Sequence, residues 1–332
     1  MKHSNISIFI PHVGCPHMCS FCDQRTISGE SSAPSVDEVR DICRNALDSS
    51  SAPENTEIAF FGGSFTAIPR DYMTGLLRAA AEFVGDGKFH GIRISTRPDY
   101  ITPEILDILK MYGVTAIELG AQSMNDEVLE ANERGHTAQD VVDSAELIRQ
   151  YGFELGLQMM TGLYKSSPQR DMETARKIAD IRPDTVRIYP VVVLEGTRLA
   201  QLYRQGIYEM MPLDDMARLC ARMLLLFGEN GIRVIKCGLH ASEFVENDMV
   251  AGYYHPAFME LCEMSIYRKA IEVLLAAELP YGGKAVIEVG ERCVSKAVGQ
   301  KKANKEYFRE KGYDISICGV SGIPEYQCRL RK

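Results

Sequence analysis

No apolar run in this chain approaches the roughly 20 residues that cross a bilayer, so no membrane span is expected. The N-terminal Met1–Lys2–His3–Ser4 lacks a charged region leading into a signal-length apolar stretch, so export is not expected either. Internal repeats and low-complexity linkers are absent, which leaves one large domain with a smaller appendage as the expected organisation of 332 residues. Positive charge is not in excess: the net charge of −8 gives no general reason to expect a polyanionic partner. Ten cysteines are present, but no second C-x2-C accompanies the first. Cys43, Cys220, Cys237, Cys262, Cys293, Cys318 and Cys328 are scattered, as reduced thiols in a core or partner surface are. A disulfide framework is therefore not expected, and a cytoplasmic, reducing compartment is.

Against these absences stands one dense motif, Gly14–Cys15–Pro16–His17–Met18–Cys19–Ser20–Phe21–Cys22. Its C-x3-C-x2-C spacing follows the apolar run Ile6–Ile10 and can turn three thiolates toward one point. Thiolate is the ligand that iron–sulfur clusters prefer. A four-iron cluster held by three cysteines keeps one iron open for a substrate. Structural zinc is the alternative, and it needs a fourth ligand such as His12 or His17.

Short β-rich runs alternate with segments of helical period along the first two thirds of the chain. Strands are expected at Ile6–Ile10, Glu57–Phe61, Gly91–Ser95, Val114–Leu119, Phe153–Met160 and Thr185–Tyr189, with helices beginning near Val36, Arg70, Pro103, Ala138 and Pro168. Ser35 with Glu38 and Thr137 with Asp140 have the spacing of capping boxes, and Thr102–Pro103 and Ser167–Pro168 set a hydroxyl cap before a first-turn proline. Six strand–helix alternations predict parallel βαβ units, and right-handed crossovers curl them into a barrel or an open part of one. Beyond this, a helix is expected at Leu213–Asn230, a strand at Gly231–Ile235 and a helix at Phe258–Ala277. The last fifty residues suggest strand Ala285–Val289, helix Lys296–Lys311 and strand Asp314–Cys318. These divide the chain into a core barrel, residues 1–237, and a small C-terminal α/β extension, residues 238–332.

Further motifs fall on the rim predicted at the carboxyl ends of the strands. Gly62 and Gly63, in Phe60–Phe61–Gly62–Gly63–Ser64–Phe65–Thr66, let backbone groups approach a ligand, and their carbonyls suit an ammonium group. Arg97, followed by Pro98, presents donors for a carboxylate; a structural Arg97–Asp99 surface pair is the alternative. Glu118 or Gln122, in Glu118–Leu119–Gly120–Ala121–Gln122–Ser123, suits ribose hydroxyls, and a core pairing of Glu118 with an arginine is its rival. Arg134–Gly135–His136–Thr137 precedes a helix start, where N–H groups attract anions. Arg187 closes the sixth strand and, if it points inward, needs a carboxylate such as Glu118. The last fifty residues carry a balance of +5 against −13 for the remainder.

The cysteine loop and the Gly62–Gly63 loop resemble those of the radical S-adenosylmethionine (SAM) enzymes. Thr96–Leu199, with TRPDY, ELGAQS, RGHT, QMMTGL, RIYP and EGTRL, resembles the catalytic subunit of the Elongator tRNA-modifying complex and its shorter bacterial relatives. That resemblance implies a partial (β/α)6 TIM-like barrel and a [4Fe–4S] cluster on Cys15, Cys19 and Cys22. It also implies SAM held by Gly62, Gly63, Ser64, Arg97, Glu118, Gln122 and Arg187, and reductive cleavage of SAM to a 5′-deoxyadenosyl radical. Many relatives have Glu where this chain has Ser64. The expected partners are tRNA, through the basic C-terminal extension, and a reductase, flavodoxin or ferredoxin as electron donor. The Elongator subunit has a wider first gap between its cysteines and carries an acetyltransferase domain, so its acetyl-CoA-dependent chemistry is not expected to transfer. The compact spacing also resembles oxygen-independent coproporphyrinogen oxidase, whose Gly-Gly-Gly-Thr loop is lacking. A small-molecule or tetrapyrrole substrate, or a non-catalytic iron–sulfur protein, is the alternative.

Overall fold

The computed structural model describes residues 4–331 apart from 12, 14, 16, 17, 30, 31 and 240–242. Strands β1 (Ser4–Ile10), β2 (Thr56–Gly62), β3 (Gly91–Thr96), β4 (Val114–Gln122), β5 (Glu154–Thr161) and β6 (Thr185–Pro190) alternate with helices. They are followed by β7 (Val192–Leu194), β8 (Arg233–Cys237), β9 (Met249–Gly252), β10 (Gly283–Gly290), β11 (Tyr313–Val320) and β12 (Cys328–Leu330). One sheet has the order β1-β2-β3-β4-β5-β6-β8, and the five pairings from β1 to β6 are parallel. The strand expected at Gly231–Ile235 is therefore the seventh member of that sheet.

The helix starts carry the expected caps. Ser35 Oγ accepts from Glu38 N at 3.2 Å and the Glu38 carboxylate returns the bond to Ser35 N at 2.6 Å; Thr137 and Asp140 do the same. Thr102 and Ser167 cap the helices Pro103–Met111 and Pro168–Ile181.

Alternation along the strands separates two faces. Ile58, Phe60, Ile92, Ile94, Ile117, Leu119, Leu155, Leu157, Val186 and Ile188 are buried and form the apolar face. The opposite face carries Glu57, Phe61, Arg93, Ser95, Glu118, Gln158, Arg187 and Tyr189, because successive side chains point to opposite sides. That polar face is concave. The Arg187 guanidinium on β6 lies 5.2 Å from the Phe61 ring centre on β2, four strands away. In a flat sheet those strands would stand about 19 Å apart. The curl that closes this gap makes an open barrel whose interior is lined by charge.

The chain divides into two compact units. The first holds Met1–Met210, Leu226–Lys236 and His240–Gly252, including β1 to β7 and β9; the second holds Met211–Leu225, Cys237–Leu239 and Tyr253–Lys332. In the second unit the sheet β11-β10-β12 and the helix Phe258–Glu278 bury Tyr267, Ile271, Leu275, Ile287, Val289 and Phe308. The helix expected over Lys296–Lys311 is two helices, Val294–Val298 and Ala303–Glu310. Between them Gly299, Lys301 and Lys302 adopt φ of 78°, 50° and 64°, which no α-helix tolerates. A Cβ at position 299 would stand 2.6 Å from Met264 Sδ, so glycine sits where the chain turns against that side chain. The short antiparallel β12 and the β7–β9 pair carry no periodic pattern long enough to read from sequence.

Candidate active site

The cysteine loop, Gly62–Gly63, Arg97 and Gln122 lie at the carboxyl ends of β1, β2, β3 and β4, whereas Glu118 and Arg187 lie within β4 and β6, and Arg134–Thr137 precedes a helix. The cysteine loop leaves β1, and Gly62–Gly63 leave β2 beside it. Gly63 N donates to Ile10 O at 2.8 Å. Gly62 has φ of 110°, and a Cβ at Gly63 would stand 2.7 Å from the Val13 carbonyl oxygen and 3.4 Å from Cys15 Sγ. Only glycine allows the two loops to meet this closely.

Cys15 Sγ lies against the Gly63 position, and the neighbouring Ser64 backbone amide acts to hold its pKa down. Burial raises the Cys15 thiol above its usual range and Cys19 adds to that, while the Ser64 N–H, Arg134 and Arg97 pull the other way. The Ser64 hydroxyl faces β3, at 3.0 Å from Thr96 Oγ1, and accepts from Arg97 N at 3.3 Å. Position 64 thus serves the cysteine through its backbone and the third strand through its side chain. The far side of the cysteine loop is pinned as well: Ser20 Oγ donates to Asn132 Oδ1 at 2.7 Å, and Ser20 O accepts from Leu199 N at 2.8 Å. None of the ten cysteines forms a disulfide. Among the described residues no three His, Cys, Asp or Glu side chains already stand together as a metal site. His12 and His17, the fourth ligands a zinc site would need, lie outside the described residues.

Arg97 is buried, and its Nε and Nη2 each meet an Asp99 carboxylate oxygen at 2.9 Å. Nη2 also donates to the Arg134 carbonyl. The bidentate geometry expected of Arg97 is therefore present, with Asp99 as the carboxylate. Glu118 is likewise engaged. Arg187 meets its two oxygens at 2.8 and 3.0 Å, Gln158 Nε2 donates at 2.8 Å and Arg93 lies at 3.5 Å. Arg93 completes a buried network with Glu57 at 2.7 Å and Glu154 at 3.0 Å. Arg97 pairs with Asp99, in a buried and not the surface setting expected, Glu118 pairs with arginine in the core, and Arg187 points inward.

Gln122 differs from these. It has φ of 62°, at the bulge where the β4–β5 register shifts, and its buried Oε1 has no hydrogen-bond partner. Arg134, absent from the expected ligands, is the second such residue. Its Nη1 lies 3.1 Å from Cys19 Sγ, Nη2 donates to Gly120 O at 2.7 Å, and the buried Nε is unpaired. The Arg134–Gly135–His136–Thr137 motif marked this segment without specifying which side chain reaches the cysteines. His136 is third. Its Nε2 stands 3.2 Å from the Ala121 carbonyl, an acceptor only, so Nε2 carries the proton and buried Nδ1 is an unpaired acceptor. Burial and then Arg134 push its pKa down to about 4, so the ring is neutral at pH 7. Two other buried unpaired atoms, Asn5 Oδ1 and Thr185 Oγ1, sit at the opposite end of the strands.

The Radical SAM superfamily profile matches residues 9–178, half of the chain, and a Radical SAM C-terminal domain profile matches residues 183–268. The chain belongs to the radical SAM superfamily. It is 31% identical over 193 residues to Elongator complex protein 3 of Saccharomyces cerevisiae, covering 52% of this chain and 35% of that one. To the tRNA uridine(34) acetyltransferase of Dehalococcoides mccartyi it is 26% identical over 250 residues, 65% of this chain and 54% of that one. The solved structure of Methanocaldococcus infernus Elp3 with an N-terminal deletion superposes with a TM-score of 0.56 at 19% identity, covering 74% of this chain and 61% of that one. The chain thus spans about a third to a half of the length of these curated relatives.

This radical SAM protein is an enzyme whose cofactors are a [4Fe–4S] cluster and SAM. The residues present fit them. Three partly exposed thiols share one loop, glycine backbone lies where a Cβ would collide, and unpaired buried atoms of Gln122 and Arg134 border the same place. No helix among the described residues is long and apolar enough to cross a membrane.

Proposed function

We propose that Cys15, Cys19 and Cys22 hold the [4Fe–4S] cluster and that the enzyme cleaves SAM reductively to act on tRNA. The observation that carries this reading is the meeting of the first two strand ends, where the Gly63 backbone closes on the cysteine loop so tightly that a Cβ there would stand 3.4 Å from Cys15 Sγ. When bound, the cluster supplies the electron that breaks a carbon–sulfur bond of SAM, giving methionine and a 5′-deoxyadenosyl radical.

The chain's own residues orient and enclose the cofactor. Backbone carbonyls of Gly62 and Gly63 suit the amino group of SAM, for which no Glu is present at Ser64. The Arg134 guanidinium, between Cys19 and Gly120, suits its carboxylate. Gln122 offers its unpaired Oε1 to a ribose hydroxyl. Arg97 supports these by bonding the Arg134 carbonyl, and the Glu118–Arg187 pair forms the wall beneath.

The relatives named for tRNA modification support tRNA as the substrate class. The charge distribution in the second unit agrees and narrows the contact. Lys296 is ion-paired to Glu263 and Glu325, and Arg309 to Glu306. Arg292, Lys301, Lys302 and Lys305 have no ion pair among the described residues, and the kink at Gly299–Lys302 presents two of them on successive left-handed residues. Lysines so placed suit phosphates.

The test is anaerobic reconstitution followed by dithionite and SAM. Wild-type protein is expected to yield 5′-deoxyadenosine, and each Cys→Ala variant of the three to yield none. Well-loaded protein that gives neither product nor a SAM-dependent change in its EPR spectrum would exclude the radical reading. Filter binding of tRNA should weaken steeply with salt, and K301E/K302E/K305E should reduce that slope.

A further inference from the structure

Two arginines are buried at the rim, and they differ in what balances their charge. Arg97 is held by both oxygens of Asp99. Arg134, only 7% exposed, has no carboxylate partner among the described residues. Its neighbour Glu133 is paired with Arg198 instead. The Arg134 donors go elsewhere: Nη2 to the Gly120 carbonyl at 2.7 Å, Nη1 to the Cys19 sulfur at 3.1 Å, and Nε to nothing. A buried cation without a counter-ion is costly. An anion entering the site would complete it.

The approach of Arg134 to Cys19 is held in place by the residues beside both. Ser20, next to Cys19, donates from N to Asn132 O at 3.2 Å and from Oγ to Asn132 Oδ1 at 2.7 Å. Arg97 Nη2 donates to the Arg134 carbonyl, and Arg134 N donates to Leu129 O at 3.0 Å. These bonds fix residues 132–134 against the cysteine loop. The loop itself supplies the anion. Cysteine ligands are thiolates, a [4Fe–4S] group held by three of them is net negative, and reduction adds one unit more. Net charge and hydrogen bonds to sulfur set the potential of such a group. SAM brings a second anion in its carboxylate, and the unpaired Nε is the donor left for it.

We propose that Arg134 tunes the iron–sulfur cluster, its Nη1–H bonding the Cys19 sulfur and its charge offsetting the electron added on reduction. It acts through Cys19 and is therefore a positioning residue. The assignment rests on the proposed cluster site at Cys15, Cys19 and Cys22. The experiment is an anaerobic redox titration of reconstituted protein without SAM, followed by EPR of the reduced cluster. Leaving SAM out removes its carboxylate from the result. For R134Q the equilibrium for reduction is expected to fall about tenfold, a midpoint about 59 mV lower for one electron. R134K keeps the charge and should recover most of that shift, with iron and sulfide content at wild-type level in both variants. An R134Q midpoint equal to wild type overturns the proposal, even where SAM binding weakens, because Arg134 then serves SAM alone. R134K as low as R134Q overturns the role of its charge. Should R134Q take up no iron, pulsed EPR of the wild type carries the test, with arginine labelled by a heavy nitrogen isotope. Coupling of that nitrogen to the reduced cluster is expected in wild type and lost in R134K; its absence from wild type overturns the contact. Failure of the cluster site shows earlier, as wild-type protein that assembles no four-iron cluster.

Discussion

The floor and the rim of the half-barrel are built from the same strands and treat their charged groups differently, although Asn5 Oδ1 and Thr185 Oγ1 at the floor end are also unpaired. At the floor, Arg93 is 2% exposed and meets Glu57, Glu118 and Glu154, and Glu118 in turn takes Arg187 and Gln158. A few residues along, Gln122, Arg134 and His136 each keep a buried nitrogen or oxygen without a partner. Unpaired buried polar groups cost about 1–3 kcal/mol each, so a fold tolerates them where a ligand completes them. The closed network supports the barrel, and the incomplete one marks the site.

The largest effect that would break this contrast lies at the floor. R93A removes the buried cation shared by Glu57, Glu118 and the part-exposed Glu154, and chemical denaturation should show a loss of about 3–5 kcal/mol. A loss below 1 kcal/mol would mean that the network is not closed. Next comes pH. His136 has a folded pKa near 4 against 6.5 unfolded, so the unfolded chain binds the extra proton between those values. Stability contributed by the neutral ring is present above pH 6.5 and lost as pH falls toward 4, by about 3 kcal/mol. H136Q should flatten that part of the stability–pH curve.

The smallest effect on stability is expected at Gln122. Q122M replaces an unpaired acceptor by an apolar group of similar length, so the thermal midpoint should hold or rise slightly. SAM affinity, read by equilibrium dialysis with the reconstituted protein, should fall about tenfold. A midpoint that drops while affinity holds would move Gln122 from the rim to the floor in function.

Much of this is legible in the sequence. Ser35–Glu38, Thr137–Asp140, Thr102 and Ser167 announce helix starts because capping is a local matter of a few residues. The six parallel strands follow from apolar runs of the right length between those helices. The break at Gly299–Lys302 was not legible, since Lys301 and Lys302 have ordinary helical preference and the turn depends on Met264, a residue 35 positions earlier. Arg134 was visible only as part of a motif, because its reach to Cys19 spans 115 residues of sequence.

The sequence by itself determined the superfamily chemistry, through three cysteines at compact spacing and two glycines one strand away. Those features are local, and their meaning survives without a fold. Tertiary structure decided which polar residues are spoken for. Arg97, Glu118 and Arg187 read from sequence as ligand-binding groups no less than Gln122 does. The turn after β3 sets Asp99 on Arg97, the sheet gathers Arg93, Gln158 and Arg187 around Glu118, and Gln122 Oε1 is left unpaired. A hydrogen bond is a relation between two distant positions, and the sequence records one end at a time.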